Sequence, residues 1–463
     1  MSTLLLAVCL CLQDAEPREK AAIDAVAEEM LKLGRFCVGN KAYVDGYMEL
    51  KRGLTATGSK KLEDEFKKVP SKGDAAKPDF AAKLDAERAK TNQKCADLLA
   101  DAALALQKDG RTAAWERLLW RIQLHFPSDK IFEKLGVAWF EPYLAWIDRA
   151  AVKRHEAGDE HHDGEWLTAE QVRILNRAHK TWDDPWKVAD GVHEVRTTAD
   201  LRTAKTYLAQ VGAFRALFLR EFSGFWDLKA PDGLLPVYYT ETYKEMVERT
   251  KEHGLDVEKE ETRGCAWYLQ GSGSCNPCFV TTEIRFTDGK MYKAPVTDTF
   301  FTLRHEISHQ MAFEYSKHAA LDDHVKHQVW SVEGFAQYMG SWTMERGRWR
   351  IASPKFVRLG SLMEEGPLAW AIVNRRQTVH VSKFVQWSRV DLQKVDTYNI
   401  GAGLAWFLMH GEGGRYKPAF CRLLERIHQV RDTDETWTEC FPDVDMDKLH
   451  KEWMGFLEKQ KVE

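Results

Sequence analysis

No hydrophobic run in this chain is long enough to cross a bilayer as a helix. The apolar stretch at the start, Leu4 to Leu12 in "MSTLLLAVCLCLQDAEPREK", falls well short of the ~20 residues a span needs. Excess charge of one sign is missing too. Lys plus Arg number 66 against 70 for Asp plus Glu, a balance that excludes the basic footprint for nucleic acid or an anionic membrane. Proline at 14 and glycine at 30 are too few for a disordered or collagenous chain. What is present is packing material: 17 Trp and 22 Phe in 463 residues describe a soluble globular protein. That length exceeds one ordinary core and implies two domains, or three.

The first residues resemble a secretory signal, with polar residues and Ala15 after the apolar run. Against it, no Lys or Arg precedes the run, and Gln13 is a poor residue before a cut at Ala15. Val8 stands where a lipoprotein signal needs a small residue. The expectation is a signal over 1–15 and export to a periplasmic or extracellular space; the alternatives are a buried N-terminal segment or a misplaced start codon, with a cytoplasmic location. Nine cysteines, less Cys9 and Cys11, leave seven, and an odd number cannot all pair internally. The single CxxC at Cys275 and Cys278 has no second pair to make a structural zinc site. "FVTTEIRF" after it reads as strand and excludes a redox motif. A local disulfide in "GCAWYLQGSGSCNPCFV", which also holds Cys265, is the expected use.

From Glu16 to about Trp186 the apolar spacing is helical, as in "AAIDAVAEEMLKLG" and "AAWERLLWRIQLHF", with loops at 69–80 and 155–166 and no fixed repeat. His155, His161 and His162 fall in the second loop, interleaved with acids, and read as a solvated segment. Strands then alternate with helices from 187 to 296: "HEVRTTA", "LLPVYYTET", "CAWYLQ" and "CFVTTEIRF" predict a small sheet. From 297 to 463 the pattern is helices and loops without a long strand. The class is α+β, with a helical N-terminal region over 16–186.

"TLRHEISHQM" carries the chemistry. On a helix His305 and His309 lie one turn apart on one face and can aim at one divalent metal. Glu306 sits roughly 100° round, where its carboxylate can take a proton from a metal-bound water. Phe300, Leu303, Ile307 and Met311 form a separate apolar stripe. Catalytic zinc takes three protein ligands and keeps a fourth position for water. Glu333, in "WSVEGFAQYMGSW", supplies the third from a second buried helix.

"HEISH" followed by "VEGFAQY" resembles the gluzincin metallopeptidases, and within them the peptidase MA-like group, over roughly Val188 to Gly411. The resemblance implies a thermolysin-like catalytic domain over 187–463. Its cofactor would be Zn2+, held by His305, His309 and Glu333, with Glu306 as general base and then general acid. It also implies a later tyrosine or histidine that stabilises the oxyanion; Tyr398, in "DTYNIGAGLAWFLMHGEGG", is the candidate and His410 the alternative. Gluzincins bind substrate backbone along an edge strand, and "CFVTTEIRF" is the segment that could supply it; an internal strand with no substrate contact is the other reading. Asp322, Asp323 and His324 are either partners that orient a ligand histidine or a charged loop. Gln337 departs from the pattern, since several related peptidases carry an acid one turn after the ligand Glu.

The expected function is zinc-dependent hydrolysis of peptide bonds in a peptide or protein substrate. Two rivals stand beside it. One keeps the metal without catalysis, as a binding module that docks a protein partner through its helical N-terminal region. The other is a helical scaffold with structurally satisfied histidines.

Overall fold

Apolar residues three and four apart make the early segments coil and bury one stripe each. The computed structural model describes residues 16–69, 78–254, 264–268, 275–285, 291–293, 296–316, 328–351, 356–359, 362–365, 367–375, 379–387, 395–429, 433 and 435–460. The expected signal segment and Asp322, Asp323 and His324 lie outside the described residues.

Six helices come first: α1 (Pro17–Gly39), α2 (Tyr43–Thr57), α3 (Lys60–Phe66), α4 (Pro78–Lys108), α5 (Thr112–His125) and α6 (Asp129–Lys134). Proline starts α1, where its missing N–H has no helical partner to lose. Val26 and Met30 of α1, Leu50 of α2, Cys95 and Leu99 of α4, and Leu118 and Ile122 of α5 share one core. An antiparallel hairpin of β1 (Val137–Phe140) and β2 (Ala145–Asp148) follows, then α7 (Arg149–Glu156). This compact unit comprises Met1–Ala157, Leu219–Lys229 and Met344–Trp349. Its first segment ends at Ala157 and holds two strands that the helical pattern concealed.

The second unit comprises Gly158–Phe218, Ala230–Thr343 and Arg350–Glu463. It opens on β3 (Glu160–His162) and β4 (Glu165–Leu167), a hairpin where a loop is expected. Asp163 and Gly164 make its turn with φ of 50° and 85°, the Asp-Gly pairing that tight hairpins favour. His161 and His162 are strand residues, and His155 is buried on α7. A capping box of Thr168 and Gln171 starts α8 (Ala169–Ala178).

The sheet contains β5 (Trp186–Ala189), β6 (His193–Thr197), β7 (Leu235–Thr240), β8 (Gly264–Tyr268), β9 (Cys278–Arg285) and β10 (Met291–Lys293). Its order is β10-β9-β7-β6-β5, and β8 also pairs β9. β6, β7 and β9 run parallel, so the chain returns through α9 (Leu201–Phe222) and α10 (Tyr243–Glu252), as parallel pairing demands. β5, β8 and β10 are antiparallel to their neighbours.

Beyond the sheet come α11 (Val296–Glu314) and α12 (Val329–Gly340). Two short strand pairs follow, β11 (Trp342–Glu345) with β12 (Arg348–Ile351) and β13 (Phe356–Leu359) with β14 (Leu362–Glu365). The chain ends in α13 (Pro367–Val373), α14 (Val381–Phe384), α15 (Val395–His410), α16 (Lys417–Gln429), α17 (Thr436–Cys440) and α18 (Met446–Glu458). The architecture is mixed α+β and mostly helical. Among the described residues no helix is long and apolar enough to cross a membrane.

Candidate metal centre

Leu303, Ile307 and Met311 form an i, i+4, i+8 row on α11, each at most 1% exposed. Burying that row fixes the rotation of the helix, so His305 and His309 emerge together on an adjacent face. A third row, Glu306, Gln310 and Glu314, turns toward the sheet. Gln310 donates to the carbonyls of Asn276 at 2.8 Å and Pro236 at 3.3 Å.

Glu333 arrives on α12, whose position is set by two close approaches. A Cβ at Gly334 would lie 2.4 Å from the carbonyl carbon of Gly401 on α15. Only glycine permits this backbone-to-backbone crossing, which accounts for the residue after Glu333. At the other end of α12, Arg304 donates through Nε to the Gly340 carbonyl at 3.2 Å. A buried guanidinium at a helix C-terminus meets the negative end of the dipole, and burial lowers its pKa to about 9.

These constraints bring three donors together. His305 Nε2 lies 3.1 Å from His309 Nε2, and Glu333 Oε2 is 3.5 Å from the first and 3.6 Å from the second. Tetrahedral zinc with bonds of about 2.0–2.1 Å places its ligands roughly 3.3–3.4 Å apart, which these separations bracket. The donor set, two imidazoles and one carboxylate, is also one that catalytic zinc takes. The residues fit the ion. Their side chains are 11, 16 and 21% exposed, so the cluster is largely shielded from solvent.

Burial opposes charge on Glu333 and His309, and attraction within the cluster outweighs it. For Glu333, burial is offset by His309 and His305, and its carboxyl is held far below the usual range. For His309, burial is outweighed by Glu333, and the imidazole pKa is raised. The two ring nitrogens, 3.1 Å apart, can share a proton as an N–H···N hydrogen bond or turn both lone pairs toward one cation.

Glu306 divides its two oxygens. Oε2 accepts the backbone N–H of Tyr268 at 2.7 Å, while Oε1 lies 4.0 Å from His305 Nε2. Burial pushes its carboxyl up from the ordinary range; the imidazoles and the Tyr268 N–H pull the other way.

The other expected residues are distributed unevenly. Tyr398 is half-buried on α15, three residues before the Gly401 crossing. His410 is at the far end of that helix, about 18 Å along its axis from Tyr398, with Nε2 2.7 Å from the Tyr338 hydroxyl. Gln337 keeps a buried Oε1 without a hydrogen-bond partner among the described residues, as does His305 at Nδ1.

"CFVTTEIRF" is not an edge: over Cys278–Val280, β9 pairs with β7 on one side and β8 on the other. The strand beside α11 is β8, whose Tyr268 N–H points away from β9 to Glu306. Cys278 is a buried thiol in that internal strand, pushed well above its ordinary pKa by burial and by Glu306, and takes no part in the expected local disulfide.

Sequence reasoning missed Tyr268 and Glu314. The available signal was the polar row at Glu306, Gln310 and Glu314 on a helix otherwise built to be buried. No protein-family model, curated protein or solved structure matches the chain, so the reading of this centre rests on its own geometry.

Proposed function

We propose that the chain is a zinc-dependent peptidase with a gluzincin-type, thermolysin-like catalytic domain. The observation that carries this is the convergence of His305, His309 and Glu333 beside a half-buried carboxylate, Glu306, that takes no part in the cluster. Bound zinc would supply a Lewis acid that acidifies a water and polarises a carbonyl. Glu306 Oε1 takes the proton from the attacking water and returns it to the leaving amine. Oε2, tied to the Tyr268 N–H, keeps the carboxylate from swinging away. Tyr398 is the proposed oxyanion donor. β8, which pairs only with β9 among the described residues, is the strand proposed to receive an extended substrate backbone.

Metal analysis of the purified protein, followed by digestion of a mixed peptide library with and without chelator, tests the proposal. One zinc per chain and chelator-sensitive cleavage are expected, both lost in His309→Ala. Stoichiometric zinc in that variant would overturn the ligand assignment. Zinc without cleavage in the wild type would mark a binding module instead.

A further inference from the structure

Glu314 is only 7% exposed, two turns beyond Glu306 on α11, and it accepts four hydrogen bonds from the sheet side. Oε1 takes the Asn276 backbone N–H at 2.7 Å, Asn276 Nδ2 at 2.8 Å and the Tyr268 hydroxyl at 3.3 Å. Oε2 takes the Cys275 N–H at 2.9 Å. A buried carboxylate costs free energy unless its lone pairs are used, and here every donor comes from β8 or the segment entering β9. Tyr268 is common to both glutamates. Its N–H is on Glu306 and its hydroxyl on Glu314, so the residue lies lengthwise along α11, with its ring 5.9 Å from that of Phe313. The hydroxyl stays protonated, because burial and Glu314 push its pKa well above the ordinary value.

We propose that Glu314 is a positioning residue for the general base: by anchoring the Tyr268 hydroxyl and the 275–276 backbone, it holds the Tyr268 N–H on Glu306 Oε2. This rests on the peptidase reading for its consequence and on the hydrogen bonds alone for its geometry. Glu306 has a flexible side chain with two equivalent oxygens. Fixing one of them aims the other toward His305 and the metal position, and a carboxylate free to rotate would spend part of its time misdirected.

The test uses Glu314→Gln in the full-length, zinc-loaded chain. The substitution keeps one acceptor oxygen and places an amide where the other was. Amide hydrogen exchange at Tyr268 should quicken about tenfold, the loss of roughly one hydrogen bond, while exchange at Ile307 in the middle of α11 stays as in the wild type. In the peptide assay, kcat per bound zinc should fall about tenfold with KM changed less than twofold. Tyr268→Phe, which removes only the hydroxyl anchor, should show both effects at a few-fold level and serves if Glu314→Gln fails to fold. Unchanged Tyr268 exchange in a folded variant would overturn the proposal. Equal quickening at Tyr268 and Ile307, or a loss of rate wholly explained by lost zinc, would also overturn it by reducing Glu314 to a structural role. A wild type that binds zinc but cleaves nothing would sink the peptidase reading alone, since the exchange measurement does not depend on turnover.

Discussion

Glu19 in the helical unit and Glu333 in the second are both shielded carboxylates, and their surroundings treat them in opposite ways. Arg117 meets Glu19 with two parallel hydrogen bonds, Nε at 3.0 Å and Nη2 at 2.7 Å, one to each oxygen. Nearby, Glu49 lies between Arg52 and Arg88, and the second end of Arg88 reaches Asp45 at 2.7 Å. Each acid faces a guanidinium, so the charges are balanced by the chain's own donors. At the metal centre a carboxylate and two imidazoles converge, and nitrogen faces nitrogen at 3.1 Å. Burial of charge alone therefore does not mark a site. The distinguishing feature is that two imidazole nitrogens and one carboxylate oxygen converge within 3.6 Å of one another, the donor set proposed to take zinc.

The largest effect is expected at Glu306. Glu306→Gln should lower kcat by about 10²–10⁴-fold, the range for a lost general base, and leave the zinc content at one per chain. Loss of zinc in that variant would mean Glu306 belongs to the ligand set. Glu19→Ala should do the reverse. It should cost about 3 kcal/mol of stability in chemical denaturation, near the lower end for breaking a buried pair, because Arg117 is 35% exposed and can rehydrate. Zinc affinity should not change, and a shift in it would erase the distinction drawn here. Gly334→Ala lies between the two kinds of effect. Its methyl group would meet the Gly401 backbone, and α12 must move away at about 1–3 kcal/mol. Glu333 moves with it, so zinc binding followed by competition with a chromogenic chelator should weaken about 10–100-fold.

Some of this was legible in the sequence and some could not be. His305, Glu306 and His309 are readable because helical spacing is a local property, and Glu333 because its helix carries its own apolar pattern. The need for glycine at 334 is invisible locally, since it is imposed by Gly401 on another helix. The interior placement of β9 was equally hidden: strand order is set by crossovers, and the short, irregular β8 gives little alternation to read. Tyr268 acts on Glu306 through a backbone N–H, which no side-chain pattern encodes. The β3–β4 hairpin is different, because Asp163-Gly164 is a readable turn that was concealed by the charge and histidine content around it.

A last and smaller effect separates the stability of the second unit from its metal chemistry. His193 is fully buried at the start of β6, with Nδ1 3.2 Å from an Arg215 guanidinium nitrogen. Burial, reinforced by Arg215, lowers its pKa from 6.5 to about 3. The folded protein thus keeps this ring neutral, whereas the unfolded chain protonates it below about pH 6.5. Protons then favour the unfolded state, so stability falls as pH drops through 6.5 and keeps falling toward pH 3. The loss between pH 6.5 and 5.5 should be about 1 kcal/mol from this one group. Urea unfolding at those two pH values in the metal-free protein, compared with His193→Asn, isolates it: the wild-type change should exceed the variant's by that amount. An equal change in both would show that the acid sensitivity of this unit does not come from His193.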